Sequence, residues 1–367
     1  MAEGFALRPW SCIEQATLHP PWQELAESAV SPNPFYEPWF LLPALERFDP
    51  LGTVEIATLV ANGKLAALMP VFRSRNYHGR PLPHLAGWSH PNAFCSVPLI
   101  RGGYEQAFWG ALLHAADRNG GMEVFLHLDQ LPERDPVTAS LFDHCFASGR
   151  SATTAMRSSR AMLMTGPSPQ AHLEAALSTK RRKELRRQRR RLEELGEVAF
   201  KRVTSPAAVG AWCEEFLALE TRGWKGRSGS ALACDERTRS LFTESLRAAS
   251  ALGRFEGLSL ELAGRPLAML TNFHTPPGAY SFKTTFDEDY ARFSPGVLLQ
   301  IENLQMLQDP RIAWCDSCAA EDHPMIDRMW PEHREMIAVT VPIGGRLRRT
   351  VGRTLTAIER LRTQARQ

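Results

Sequence analysis

The segment between Tyr280 and Leu299, YSFKTTFDEDYARFSPGVLL, holds the most informative chemistry in this chain. Its alternating first half predicts a half-buried strand, and its second half predicts a helix that begins at Ser294, Pro295 and Gly296. Serine before a helix and proline in its first turn are typical of a helix start, where backbone N–H groups lack intrahelical acceptors. Because such a terminus attracts phosphate, the segment predicts an anion pocket.

Ionisable side chains lie around this segment. Lys283 and Asp287 are four residues apart across the predicted strand end. We therefore expect both near the carboxyl edge of a sheet, where such folds leave room for a ligand. The alternative is a surface ion pair worth about 0–1 kcal/mol. Asp316, at the end of another predicted strand, and His323 in EDHPMIDRMW form a further candidate group.

A second candidate constellation lies in the segment LETRGWKGRSG. Glu220 closes a predicted helix, and Trp224 and Lys225 enter a Gly/Ser-rich loop of the kind that closes over ligands. Two structural interpretations compete with this one: Glu220 as an acid on a helix surface, and Trp224 as a core aromatic.

Breaks in the pattern predict two mixed α/β units. A chain of 367 residues exceeds one comfortable core. We expect an N-terminal domain over 1–160 and a second domain over 161–345 that includes a basic helix over 172–195. A basic helix or tail follows over 346–367.

Within these units the pattern predicts individual elements, and both units have α+β mixed sheets. In the N-terminal unit, the turn Ala61-Asn62-Gly63-Lys64 joins two strands as a hairpin, and a helix spans 105–118. In the second unit we expect helices over 207–219, 238–252 and 297–307 and strands over 254–262, 266–274, 280–286 and 312–315.

The composition is that of a globular protein. Hydrophobic residues make up 44% of the chain, and no stretch reaches the roughly 20 apolar residues that span a bilayer. The start MAEGFALRPW lacks a signal-peptide core, so we expect a cytoplasmic location. Seven scattered cysteines argue against a disulfide framework. Cys315 and Cys318 form a C-x-x-C pair without a second pair, so no metal site is expected.

Positive charge is concentrated in two places. Nine basic residues and one acid, Glu184, lie between Lys180 and Arg191, and a second basic segment runs from Arg346 to Gln367, whereas the whole chain carries a net charge of only +3. One interpretation is a pair of solvated helices, with a leucine seam packing the first of them against its domain. The other is a surface for an anionic partner such as tRNA, other nucleic acid, a membrane face or a phosphorylated carrier. The seam consists of Leu173, Leu177, Leu185, Leu192 and Leu195.

Four segments together resemble a known family: STKRRKELRRQRRRLEELGEVAF, LETRGWKGRSGSAL, FKTTFDEDYARFSPGVLL and DSCAAEDHPMIDRMW, which span Ser178–Trp330. They are similar to the FemAB-like branch of the GNAT acyltransferases, a group associated with cellulose or polysaccharide biosynthesis. The resemblance implies tandem GNAT-like units, with acetyl-CoA or another acyl-CoA bound to the second. Its pyrophosphate would lie at Arg292, Ser294 and Gly296, although ARFSPGV departs from the usual Arg/Gln-x-x-Gly-x-Gly/Ala loop.

The resemblance also implies roles for the candidate side chains. Asp287 would act as base or orient the acceptor, Lys283 would stabilise negative charge on the acyl oxygen or a phosphate, and Tyr280 is a candidate proton donor to the leaving thiolate. The acceptor pocket would be lined by Glu220, Trp224, Lys225, Asp316 and His323.

Three functions remain open from the sequence. The leading one is an acyl-CoA-dependent N- or O-acyltransferase that acts directly on an amino sugar, a polysaccharide precursor or a related envelope metabolite. A variant uses aminoacyl-tRNA, as Fem ligases do, with the basic helix on the tRNA phosphates. The third is a non-catalytic GNAT scaffold that binds nucleic acid or anionic surfaces. A G-x-S-x-G elbow and a G-x-x-x-x-G-K-[ST] loop are both absent from the sequence, which argues against hydrolase and NTPase functions.

Overall fold

The computed structural model describes residues 3–118, 121–345, 347–352 and 354. The chain forms two compact units: unit 1 contains the described residues up to Ser159 and from Glu335 onward, and unit 2 contains Arg160–Arg334. The predicted division placed residues 335–345 in the second domain. In the structure they group with unit 1, because the strand Glu332–Pro342 pairs antiparallel with Phe125–Pro132 of that unit.

The strands, in chain order, are β1 Gly4–Pro9, β2 Glu55–Ala61, β3 Lys64–Ser74, β4 His84–Gly87, β5 Leu99–Ile100, β6 Phe125–Pro132, β7 Thr153–Met164, β8 Val198–Val203, β9 Phe255–Leu262, β10 Arg265–Thr275, β11 Gly278–Phe286, β12 Trp314–Asp316 and β13 Glu332–Pro342. The helices are α1 Gln15–Ser28, α2 Pro38–Phe48, α3 Glu105–Arg118, α4 Pro136–Ala147, α5 Pro169–Ala176, α6 Thr179–Glu193, α7 Pro206–Arg222, α8 Trp224–Arg227, α9 Glu236–Ala251 and α10 Pro295–Asn303. Short 3-10 turns include Glu288–Phe293 and Leu304–Gln308.

Apart from the two-residue strand β5 of unit 1 and the four-residue helix α8 of unit 2, both units contain the same succession of elements: a strand, two helices, three strands, a helix and a strand, from β1 to β6 and from β8 to β12. In unit 1 the sheet order is β1-β2-β3-β4-β6-β13, and in unit 2 it is β8-β9-β10-β11-β12-β7. Neighbouring strands are antiparallel except for one parallel pair in each sheet, β4 with β6 and β11 with β12. In each case the crossover helix of the parallel pair, α3 or α10, lies between the two strands in the chain. This architecture confirms the predicted α/β class with tandem units.

Local sequence accounts for most of these elements. The hairpin between β2 and β3 turns at Asn62 and Gly63, both of which have positive φ, as a tight hairpin turn requires. Helix α3 ends as predicted, and α7 and α9 lie within three residues of their predicted bounds. The predicted helix over 297–307 divides into α10 and the 3-10 turn that follows it.

The core of unit 2 lies between its sheet and the helices α5, α6 and α10. The leucine seam of the basic helix joins this core through buried Leu177, Leu185 and Leu192, with Leu173 packed alongside. Leu195 was predicted to belong to the seam, but it lies past the end of α6 and is 54% exposed. Among the described residues, no helix is both long enough and apolar enough to cross a membrane.

Candidate active site

The two parallel strands of unit 2, β11 and β12, are paired over only part of β11. Strands β11 and β12 are in register only from Gly278 opposite Trp314 to Tyr280 opposite Asp316. Strand β12 ends there, whereas β11 continues to Phe286 and remains paired with β10 on its other side. The second half of β11 therefore has an edge without a described strand partner, next to the start of α10. Such an edge is able to pair with an extended ligand arm.

A pocket of about 450 Å³ lies beside this part of β11. Its wall brings together the end of α7, helix α8, the end of β11, the first turn of α10 and the loop at 323–325. Its lining residues are Glu220, Gly223, Trp224, Lys225, Thr284, Thr285, Phe286, Glu288, Ala291, Ser294, Pro295, Gly296, Val297, His323, Pro324 and Met325. Six residues predicted for the site, drawn from three separate segments, are among them: Glu220, Trp224, Lys225, Ser294, Gly296 and His323.

The helix start at this pocket differs in detail from the predicted one. Ser294 has a left-handed backbone (φ 54°, ψ 49°) and makes no side-chain cap, and its N–H donates to the Ala291 carbonyl at 2.9 Å. Its N–H is therefore not available to an anion, contrary to the prediction. The first intrahelical bond of α10 runs from the Leu298 N–H to the Ser294 carbonyl. The N–H groups of Gly296 and Val297 precede it in the first turn, at the pocket wall.

Gly296 keeps the pocket open at this turn. A Cβ atom added there would lie 3.3 Å from the Met325 sulfur and 3.7 Å from a ring carbon of Phe286. A methyl group is thus barely accommodated, and a branched side chain would enter the pocket. Glycine is common in binding loops because, without a side chain, it lets a ligand come close to the backbone.

Glu220 and Lys225 form a partly buried ion pair on the opposite wall. The Lys225 ammonium donates to Glu220 at 2.8 Å and to the Thr284 carbonyl at 3.3 Å. Glu220 is only 2% exposed, and its other oxygen accepts the Leu232 N–H at 2.8 Å. The carboxylate therefore fixes both the lysine and the loop that follows α8. This places a cation with restricted motion at the pocket surface, beside the unpaired edge of β11.

Lys283 lies behind this pair and does not line the pocket. Its ammonium is 5.2 Å from the centre of the Phe282 ring, and the side chain is largely buried. Burial, assisted by the charge of Lys225, lowers the pKa of Lys283 to about 8, while Glu220 acts in the opposite direction. Two lysines of like charge beside one buried carboxylate make this end of β11 electropositive.

Trp224 lies at the mouth of the pocket and is 56% exposed, so it is not the core aromatic considered above. Its short helix α8 is held in place by Glu288. One Glu288 oxygen accepts the Trp224 N–H at 2.6 Å, and the other accepts the Arg227 guanidinium. The indole is thus an exposed aromatic surface on a fixed support, the kind of group that stacks on a ligand ring. Glu288 was not singled out in the sequence, where DEDYARF shows three acids without indicating which one holds α8.

His323 contributes a hydrogen-bond donor to the pocket. Its Nδ1 accepts the N–H groups of Met325 and Ile326, each at 3.4 Å. A ring nitrogen that accepts has no proton, so in the neutral ring the proton lies on Nε2. His323 is therefore expected to present an N–H donor to a ligand.

Three residues that were predicted to act in catalysis or donor binding lie outside the pocket. Asp287 caps the turn Glu288–Phe293 by accepting the Asp289 N–H, and its other oxygen accepts from Arg265 at 2.6 Å. Tyr280 is fully buried with its ring against Trp314. Arg292 lies over the Phe293 ring at 4.7 Å. None of these three lines the pocket, so a role for them in catalysis or donor binding stays a prediction that the geometry does not favour.

Asp316 forms the centre of a buried ionic cluster. It is completely buried and is approached by Arg160 at 3.3 Å and Arg334 at 3.1 Å, and it accepts the Cys318 N–H at 2.8 Å. Two arginines and a backbone amide saturate the carboxylate, and it does not line the pocket. These contacts favour a structural role over the predicted role in acceptor binding.

The C-x-x-C pair shows no sign of a metal centre. Both thiols are free and buried, and burial raises the pKa of each far above its ordinary value. Within the part of the chain that the structure describes, no group of three or more His, Cys, Asp and Glu side chains is arranged to hold a metal ion.

Comparison with known proteins gives a family match over most of this site. Residues 179–323, which include every pocket-lining residue except Pro324 and Met325, match the model of the Acetyltransferase (GNAT) domain family. This region of unit 2 is similar to GNAT acetyltransferase domains. The matched region runs from the basic helix α6 through β12 to the loop of His323. A search of curated proteins found no match.

Solved structures share the architecture of this chain over most of its length. FemX has 9% identity and a TM-score of 0.55, covering 87% of this chain and 95% of its own. A conserved protein of unknown function from Bacteroides thetaiotaomicron VPI-5482 has 11% identity and a TM-score of 0.57, covering 90% and 98%. The C-terminal domain of a candidate lysylphosphatidylglycerol synthetase from Agrobacterium fabrum has 14% identity and a TM-score of 0.52, covering 93% and 97%. At these identities the likeness shows a shared fold and nothing further.

Proposed function

We propose that unit 2 transfers an acyl group directly from an acyl-CoA thioester to an amine or hydroxyl of an amino sugar or glycan precursor. The observation that carries the proposal is the pocket itself. It places the first turn of α10, the unpaired edge of β11 and the Lys225 ammonium around one space. An extended thioester arm needs an edge to pair with, its phosphates need N–H donors, and its carbonyl needs a nearby positive charge.

The donor is a substrate, and the residues present fit it in part. The N–H groups of Gly296 and Val297 line the pocket in the first turn of α10 and are suited to a phosphate. A Cβ atom at Gly296 would reduce the room for it. Ser294 contributes a hydroxyl that makes no cap to its own helix. This fit supports an acyl-CoA donor, with fewer backbone donors than the usual GNAT loop provides.

The transfer step uses groups on both walls. The acceptor nitrogen or oxygen attacks the thioester carbonyl, the new C–N or C–O bond forms, and the C–S bond breaks. Lys225, held by Glu220 at 2.8 Å, stabilises the negative charge that develops on the carbonyl oxygen. The proton lost by the acceptor passes to the departing thiolate, and the Nε2–H of His323 donates a hydrogen bond to that sulfur. Trp224 offers its exposed face to the acceptor ring at the mouth.

The test is release of free thiol from acetyl-CoA and longer acyl-CoA species in the presence of a panel of amino sugars, with aminoacyl-tRNA as the competing donor. Lys225→Met is expected to lower kcat by about 10²–10³, the usual effect of removing one oxyanion donor. The matched control is Lys64→Met, which removes an exposed lysine of unit 1. Transfer from aminoacyl-tRNA without any from acyl-CoA would overturn the donor assignment.

A further inference from the structure

A second concave surface of unit 2 uses the residues of α10 that follow its first turn, Leu298, Ile301 and Glu302. It is a groove with a volume of about 170 Å³ between α5, α6, β8 and α10. Six of its lining residues are apolar, and three arginines of α6 lie beside them. The groove is lined by Gln170, Leu173, Leu177, Arg182, Leu185, Arg186, Arg189, Phe200, Leu298, Ile301 and Glu302.

The apolar wall of the groove is reachable from outside. Leu173, Phe200 and Ile301 are half-buried, whereas Leu185 and Leu298 behind them belong to the buried core. An apolar surface of this kind at the edge of a core gains free energy when a hydrocarbon chain covers it. The same surface has little to offer a sugar-phosphate backbone, which binds through charge and hydrogen bonds.

The arginine side of the groove has positive charge in excess of its local partners. Arg182 pairs with Glu174 and Arg189 with Glu193, while the Nε of Arg182 is buried without a hydrogen-bond partner. Arg186 is exposed and makes no ion pair within the described part of the chain. The groove carboxylate Glu302 is 3.9 Å from Arg202, which offsets its charge. The groove thus pairs an apolar wall with a cationic rim, which complements an anion that carries a hydrocarbon chain.

The rest of α6 extends this positive charge along the surface. Of its nine basic residues between Lys180 and Arg191, only four pair with carboxylates in the described part of the chain. Lys180, Lys183 and Arg191 are exposed and lie on the side of the helix away from its buried leucines. Each basic residue held close to an anionic bilayer adds attraction, so the helix and the groove act on the same kind of surface.

We propose that the groove and α6 together form a docking surface for an anionic phospholipid bilayer, with a lipid acyl chain in the groove and its headgroup phosphate at the arginine rim. This proposal is independent of the acyl donor and of the reaction in the pocket. It assigns a function to the basic helix, which the pocket leaves without one. It gives α6 a lipid partner in place of the tRNA partner considered from the sequence.

The experiment is co-sedimentation of the full chain with vesicles of phosphatidylcholine, with and without an equal amount of phosphatidylglycerol. We expect binding only to the anionic vesicles, and a loss of binding as salt is raised. Arg186→Glu is expected to weaken this binding roughly tenfold or more. The matched control, Arg222→Glu, reverses an exposed charge on α7 of the same unit and is expected to bind as wild type.

The groove itself is tested by Ile301→Asp, with Leu173→Ser at the more exposed edge as a second variant in case the first does not fold. Weaker binding to anionic vesicles by a folded groove variant supports insertion of the chain. Unchanged binding by both variants would overturn the groove as a lipid site. Equal loss in the Arg186 and Arg222 variants would overturn a specific surface on α6, as would binding of bulk tRNA without any binding to anionic vesicles.

Discussion

Replacing Lys283 with Met is expected to stabilise the folded protein at neutral pH. Burial and the charge of Lys225 lower the pKa of Lys283 from 10.5 to about 8. Below about pH 8 the lysine is charged in both the folded and the unfolded protein. The burial of its charge then lowers the free energy of unfolding by the full amount. Between about pH 8 and 10.5 the unfolded state binds more protons, and stability rises with pH; above 10.5 the cost is gone.

The magnitude follows from the two pKa values. A difference of this size corresponds to roughly 3 kcal/mol. Partial exposure of the side chain reduces the expected gain on substitution to about 2 kcal/mol at pH 7. Lys283 does not line the pocket, so its removal is expected to lower kcat by less than the removal of Lys225 does.

The assay is urea denaturation of wild type and Lys283→Met at pH 7 and above pH 10.5, together with thiol release at pH 7. We expect the stability gain at pH 7 and its disappearance at the higher pH. The control Lys64→Met, at a lysine with 65% side-chain exposure, is expected to change stability by less than about 1 kcal/mol at both pH values. A Lys283→Met variant that is less stable than wild type at pH 7, or a gain that does not shrink with pH, would refute the reasoning.

Three further results are expected. Glu220→Gln removes the partner of Lys225 while retaining an acceptor in the side chain, and we expect a loss of about 1–3 kcal/mol in urea denaturation together with reduced turnover; unchanged turnover would count against a positioned lysine. Asp316→Asn leaves Arg160 and Arg334 without their shared carboxylate, and we expect a loss of about 3–5 kcal/mol in stability; a loss below about 1 kcal/mol would contradict the buried cluster. Acyl-CoA is expected to bind once per chain in equilibrium titration, because in the described residues only unit 2 combines the pocket and the helix start; two equivalent sites would contradict this.

The sequence predicted the elements of the fold well, because turns and periodicity are local signals. Asn62-Gly63 marks a hairpin, and the Ser-Pro-Gly break before an apolar helical pattern marks the start of α10. The place of β13 was not predictable in this way. Its partner β6 lies far away along the chain, and only the folded structure shows that Glu335–Pro342 completes the sheet of unit 1.

The site was predictable in part, and for a physical reason. Glu220, Lys225 and His323 line one pocket, whereas Asp287 and Asp316 do not. In sequence all three acids look alike, since each follows or closes a regular element. The three acids differ in their partners. Glu220 pairs with Lys225, which is near it in the chain, whereas the arginines that neutralise Asp287 and Asp316 come from other strands or a distant part of the chain. Long-range pairing of this kind leaves no periodic signal.

The central claim is that the pocket at the start of α10 holds the acyl donor. The most direct test is isothermal titration of acetyl-CoA into wild type, Gly296→Val and the control Gly345→Val, whose added side chain meets nothing within 4 Å in unit 1. We expect saturable binding to wild type and to the control. We expect binding to be lost in Gly296→Val, because its side chain enters the pocket beside Met325. Undiminished binding in a folded Gly296→Val protein would contradict the claim.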